Sequence, residues 1–325
     1  MESTRRPWRS GGSGARWLIC VPGQNILLHS PDGGTGGDHR CFPQAYSAAP
    51  RQLPLCFAGN DPSSDPLLAA SLSGAAWHQP AAANAAVVFD HVSKAFGTKK
   101  VLRDVSFEVP AGQTLCILGR SGTGKSVTLK LLMSLIKPDN GKILVDGDDI
   151  TGLNEAGLSR VRRKMGFLFQ DAALFDSLTL YDNLALPLRR LTQKSQDEIE
   201  ASIDRVLGQV SLSMDRKKMP SELSGGMRKR AGLARALVLE PKILLADEPS
   251  SGLDRITASE IDQLLLDQKA EHGTTILVVT HDVHGARRVG DRFAVFDKGD
   301  LIAFGTAAEV EQSEHETARR LISEE

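Results

Sequence analysis

The sequence has 325 residues, and its 39 Lys+Arg against 40 Asp+Glu leave a net charge of -1, which excludes a nucleic-acid coat or a polybasic membrane tail as the dominant character of the chain. Hydrophobic residues at 41% and charged residues at 24% exclude a fibrous or wholly disordered protein, and no stretch approaches the roughly 18 consecutive apolar residues that would cross a bilayer. Any membrane role must come through a partner.

Composition breaks near residue 85. Residues 1–85 hold 9 of the 15 prolines, 10 of the 30 glycines and all three tryptophans, but only 11 of the 79 charged residues. Glycine clusters such as Gly33-Gly34-Thr35-Gly36-Gly37 interrupt it, and no periodic apolar face runs through it. It is expected to be a disordered extension. A secretory signal is excluded, because Trp17-Leu18-Ile19-Cys20-Val21 is stopped by Pro22 before an apolar core can form. Two readings stay open: an organelle transit peptide, for which the six arginines speak and four aspartates speak against, and an unstructured tail or sequence translated from a start placed too far upstream. Cys20, Cys41 and Cys56 have no spacing of a disulfide framework or metal site.

From Val87 onward strand and helix signals become regular. Val87-Val88-Phe89 and the alternating Val105-Ser106-Phe107-Glu108-Val109 predict strands. A turn at Pro110-Ala111-Gly112 leads into the buried-strand pattern Leu115-Cys116-Ile117-Leu118, in which Cys116 is expected to act as a small hydrophobe. Gly119-Arg120-Ser121-Gly122-Thr123-Gly124-Lys125-Ser126 follows at once, and then a helical run from Val127. This is strand, glycine loop, helix, in the pattern G-x-x-x-x-G-K-[ST]. Glycines let backbone N–H groups converge on a phosphate chain and the helix adds its positive end; Lys125 supplies a point charge and the Ser126 hydroxyl a ligand for Mg²⁺.

Further along, Gly166-Phe167-Leu168-Phe169 predicts a strand with Gln170 at its end. Ser224 is placed to cap the helix that starts at Gly225-Gly226-Met227, which makes a second anion site unable to serve the first loop's phosphates unless the chain folds back or two chains meet. Arg228, Lys229 and Arg230 are expected to form a solvated basic face. Ile243-Leu244-Leu245-Ala246-Asp247-Glu248 is an apolar strand ending in two acids, the first suited to Mg²⁺ and the second to polarising a water. Ile276-Leu277-Val278-Val279-Thr280 puts His281 at another strand end.

On these motifs the chain resembles an ATP-binding cassette ATPase, the motor subunit of an ABC transporter, over about residues 86–310. The resemblance implies an α/β fold with a P-loop NTPase core, an antiparallel β subdomain and an α-helical signature subdomain at about 171–235, with a short helical tail over 311–325. It implies that Gly119 to Ser126 is the Walker A loop, Gln170 the Q-loop glutamine, Leu223-Ser224-Gly225-Gly226-Met227 the signature, Asp247 the Walker B metal ligand and Glu248 the catalytic glutamate. Ser251-Gly252-Leu253-Asp254 would be the D-loop, His281 the switch histidine, and Phe96 the aromatic that stacks on adenine. ATP and Mg²⁺ are the implied ligands. Each ATP would lie between Gly119–Ser126 of one protomer and Ser224–Gly226 of the other, in a homodimer that binds no nucleic acid. Met227, Arg255 and the Ser250-Ser251 start of the D-loop depart from the commonest pattern, and none of them removes a phosphate, metal or water ligand.

A narrower resemblance rests on Phe169-Gln170-Asp171-Ala172-Ala173-Leu174-Phe175-Asp176-Ser177-Leu178-Thr179, on Pro187-Leu188-Arg189 and on Pro220-Ser221-Glu222-Leu223-Ser224-Gly225-Gly226-Met227. These are similar to the ATPases of Mla-type, MCE-domain-associated phospholipid transporters and their plastid relatives. The implied partners are integral membrane permease subunits and an MCE-domain protein. The implied location is the cytoplasmic face of the inner membrane, or the stromal side of the plastid inner envelope if residues 1–85 are a transit peptide. Ala173-Leu174-Phe175 would then accept a permease helix. Long coiled-coil ATPases are excluded by the lack of sustained heptads, and two-cassette translation proteins by the single phosphate loop.

Overall fold

The computed structural model describes residues 84–323. The expected extension over residues 1–85 lies, apart from Asn84 and Ala85, outside them. In chain order the strands are β1 Ala85–Phe96, β2 Lys99–Pro110, β3 Thr114–Gly119, β4 Asn140–Val145, β5 Asp148–Asp149, β6 Met165–Leu168, β7 Ile243–Asp247, β8 Thr275–Val279, β9 Arg292–Asp297 and β10 Asp300–Gly305. The helices are α1 Lys125–Leu132, α2 Glu155–Arg162, α3 Leu180–Leu191, α4 Gln196–Gln209, α5 Gly225–Leu237, α6 Arg255–His272, α7 Val283–Val289, α8 Ala307–Glu311 and α9 Glu316–Ser323.

Two sheets form. One is antiparallel, in the order β2-β1-β4-β5, and is pinned by the stacked cross-strand pair Phe89 and Phe107, whose ring centroids are 4.5 Å apart. The other has the order β10-β9-β3-β8-β7-β6, and all of its pairs are parallel except β9 with β10. The period-two alternation of a strand explains the two cores that flank this second sheet. Leu115 and Ile117 of β3 face the cluster shared with β1, β2, α1 and α2, whereas Cys116 and Leu118 face the cluster shared with α3, α4 and α5. A strand buried on both faces reads as a continuous apolar run, which is what β3, β7 and β8 are.

Between β6 and β7 the chain leaves the sheet to build the helices α3, α4 and α5. Its entry is fastened by Asn183, fully buried, whose amide donates to the carbonyls of Phe175, Leu178 and Thr179 and accepts from the Phe175 N–H at 2.7 Å. Within the segment 311–325, α9 buries Ala318 and Ile322 in the same cluster as residues of α3, α4 and α5, and Arg287 donates to Ile322 O at 2.8 Å.

Candidate active site

The strand order gathers the site. β3, β8, β7 and β6 lie side by side and parallel, so their carboxyl ends, which carry the glycine loop, His281, Asp247 with Glu248, and Gln170, open on one edge of the sheet. A cavity of about 680 Å³ lies there, lined by Phe96, Gly122, Lys125, Gln170, Glu248 and His281 among others.

The loop is forced by close approach. Gly124, at φ 107°, caps α1 where a Cβ would fall 2.7 Å from Val101 O, and at Gly119, with φ 150°, a Cβ would fall 2.4 Å from Phe296 O. Lys125 is buried, and its ammonium donates to Gly119 O at 2.7 Å and to Arg120 O at 3.1 Å, curling the loop around it. Burial lowers its pKa, and a phosphate anion beside it would offset that cost. Ser126 Oγ donates to Asp247 Oδ1 at 3.1 Å, and burial raises the Asp247 pKa against the opposing effect of that bond. A hydroxyl and a half-buried carboxylate within reach of each other form an oxygen donor set suited to Mg²⁺, whose charge would relieve the carboxylate.

Glu248 sits one residue beyond β7 with φ 50°, in the left-handed region. Its N–H donates to Val279 O at 2.8 Å, its carbonyl accepts from Ser251 N–H at 3.2 Å and from the Lys229 ammonium at 2.9 Å, and its Oε2 lies 2.8 Å from His281 Nδ1.

Phe96 is 49% exposed rather than packed in the core, and lies in the cavity wall beside Lys99 and Val101, which sequence reasoning missed because only the β1–β2 hairpin register brings them there. Arg120, Gly119 and Ser121 border an adjoining recess of about 340 Å³ with His281 and Arg320, and Thr123 is buried with its hydroxyl donating to Arg120 O. Ser224, Gly225, Gly226 and Asp254 lie outside the cavity lining. Ser224 caps α5 by accepting from Met227 N–H at 3.2 Å, with Gly225 exposed beside it, and Asp254 caps α6 by accepting from Ile256 and Thr257.

The expected solvated basic face of Arg228, Lys229 and Arg230 is corrected: Lys229 is only 7% exposed. It shares the inward side of α5 with Gly232, Leu233 and Ala236, at spacings of three, four and seven, a signal that was available in the sequence.

The family model described as ABC transporter matches residues 102–251. The probable ribonucleotide transport ATP-binding protein mkl of Mycobacterium leprae (strain TN) is 46% identical over 232 residues, 71% of this chain and 67% of that one. The chain belongs to the ABC transporter family of ATP-binding proteins. Another ABC relative, the methionine import ATP-binding protein MetN of Rhizobium meliloti (strain 1021), is 42% identical over 245 residues, 73% of this chain and 68% of that one. The chain therefore spans about two thirds of the length of these relatives. The ABC fold is also that of the ATP-binding cassette MJ0796, solved as a dimer in a post-hydrolysis state bound to ADP and Pi. It is 33% identical, with a TM-score of 0.63 over 68% of this chain and 98% of that one. The expected ABC ATPase domain is thus present. Among the described residues no helix is long and apolar enough to cross a membrane.

Proposed function

We propose that the chain is the ATP-hydrolysing motor subunit of a multi-subunit ABC transporter. It works as a homodimer on separate permease subunits at the cytoplasmic face of the inner membrane, and moves phospholipids or related lipids with an MCE-domain partner. The observation that carries the ATPase part is the convergence of four neighbouring parallel strand ends on one cavity.

Gly119 to Ser126 cradle the triphosphate through backbone N–H groups, and Lys125 sets its charge against the β- and γ-phosphates. Ser126 and Asp247, together with Gln170 from the cavity wall, would hold Mg²⁺, which would supply charge neutralisation on the transferring phosphoryl group. Glu248 orients a water for in-line attack on the γ-phosphorus; the bond to the ADP oxygen breaks, and the products are ADP and phosphate. His281, hydrogen-bonded to Glu248, fixes that carboxylate and faces the γ-phosphate position. Phe96 offers an exposed ring for the base. Because Ser224, Gly225 and Gly226 lie outside this cavity, they serve the nucleotide of a second copy, in keeping with the dimer of the solved relative.

The permease contact in this reading is supported by the residues around Phe175, while the lipid cargo rests on the resemblance of residues 169–179, 187–189 and 220–227. Phe175, 52% exposed, joins Phe167, Phe169, Pro187 and Leu191 around an apolar groove of about 370 Å³, and Phe169 in its wall is the residue just before Gln170. A permease helix seated there would feel movements at the phosphates. The MetN relative favours a second reading, an importer of another solute. Purification of the intact complex from its membrane, followed by extraction and mass analysis, separates them. Phospholipid with a permease and an MCE-domain protein supports the first, and a lipid-free complex with a small-solute-binding protein supports the second. A plastid location would rest on residues 1–85, which lie almost entirely outside the described structure.

A further inference from the structure

The helix that presents the signature also reaches back to the attacking site of its own chain. Lys229 stands five residues after the Ser224 cap on α5, about 7.5 Å along the axis of a regular helix. Its side chain passes inward, is 7% exposed, and ends 2.9 Å from the carbonyl oxygen of Glu248. A buried ammonium costs several kcal/mol to desolvate, so apolar packing alone would favour a methionine of similar length here. The negative groups Asp171, Asp247 and Glu248 surround the charge without any of them forming a direct ion pair with it, and the hydrogen bond goes to backbone. That backbone is the one in need of support, because Glu248 is a non-glycine residue at φ 50°, its N–H tied to Val279 at the end of β8 and its carbonyl to Ser251.

We propose that Lys229 is a positioning residue that couples the signature of a chain to the catalytic glutamate of the same chain. This rests on the dimeric ATPase reading given above. When Ser224, Gly225 and Gly226 engage the nucleotide held by the partner copy, α5 is fixed at its N-terminal end. Lys229 then holds the Glu248 carbonyl, and with it the direction of the Glu248 carboxylate toward its own nucleotide. Binding at one site thereby prepares the water-orienting group of the other. The two sites become positively cooperative without any direct contact between the two nucleotides.

The test uses the full chain with Lys229→Met and Lys229→Arg. Thermal unfolding is measured first, and then ATPase rate against ATP concentration. The methionine variant keeps length and packing but has no donor, so kcat is expected to fall about tenfold or more while KM stays within about twofold, and the Hill coefficient to fall to about 1. The arginine variant keeps a donor and is expected to retain cooperativity and most of kcat. If Lys229→Met does not fold, Lys229→Leu, which also has no donor, takes its place and must show the same kcat-selective loss. A folded Lys229→Met or Lys229→Leu with wild-type kcat and Hill coefficient overturns the coupling role, as does an arginine variant no better than the methionine one. A wild-type chain that hydrolyses no ATP overturns the ATPase reading and this inference together, whereas active wild type with unaltered variants overturns only the inference.

Discussion

Glu248 Oε2 and His281 Nδ1 lie 2.8 Å apart although β7 and β8 bring them from positions 33 residues apart in the chain. The two side chains differ in exposure, 14% for Glu248 against 70% for His281, so the histidine is the more open member of the pair and both line the cavity. His281→Ala removes the partner that orients the carboxylate and leaves the Glu248 backbone contacts in place. The expected result is a loss in kcat of about tenfold to a hundredfold with an unchanged melting temperature, read by steady-state ATPase and calorimetry.

Lys125→Ala removes the ammonium from the phosphate cradle. Hydrogen bonds to charged groups contribute about 1.5–3 kcal/mol, so nucleotide affinity should fall by about tenfold or more, measured by titration calorimetry with MgATP. Unchanged affinity would place the phosphates elsewhere.

Much of this site was legible in the sequence because its parts are local. Gly119 to Ser126 is a contiguous loop between a buried strand and a helix, Asp247 follows the four apolar residues Ile243–Ala246, and His281 stands just past the four apolar residues Ile276–Val279. The strand order was not legible. β6, β7, β8 and β3 become neighbours through parallel crossovers whose pairing depends on the whole sheet, so the shared edge of Gln170, Glu248 and His281 emerges only in the fold. Lys229 was misjudged for a different reason: between two arginines its charge dominated the reading, while its spacing to Gly232, Leu233 and Ala236 marked the inward face of α5. Lys99 and Val101 carried no chemical signal at all and enter the cavity wall through hairpin register.

Asp247 makes stability depend on pH in a definite direction. Burial raises its folded pKa above the unfolded one, so its ionised form opposes folding, and stability from this group is fully present below the unfolded pKa and lost as pH rises through the folded one. Asp247→Asn keeps an acceptor for the Ser126 hydroxyl and removes the charge. In metal-free buffer it should melt higher than wild type at neutral pH, with the gain shrinking as pH falls through the carboxylate range, while Mg²⁺-dependent hydrolysis is lost. A gain that persists undiminished in acid would rule out the buried charge as its cause.

Phe175→Ala tests the groove. The side chain is half exposed, so truncation should change the melting temperature little, and basal ATPase of the isolated subunit should persist. A buried interface aromatic is worth about 2 kcal/mol or more, which predicts more than tenfold weaker capture of the permease. Loss of folding would instead make Phe175 a core residue, and normal capture would move the docking surface elsewhere.

Glu248→Gln tests the ATPase site most directly. The amide keeps the shape and the backbone contacts of Glu248 but cannot polarise water, so single-turnover hydrolysis should fall by about a hundredfold or more while MgATP still binds, and the protein should sediment as an ATP-dependent dimer. Wild-type turnover in that variant, with no dimer formed, would contradict the assignment of Glu248 and of the cavity it faces.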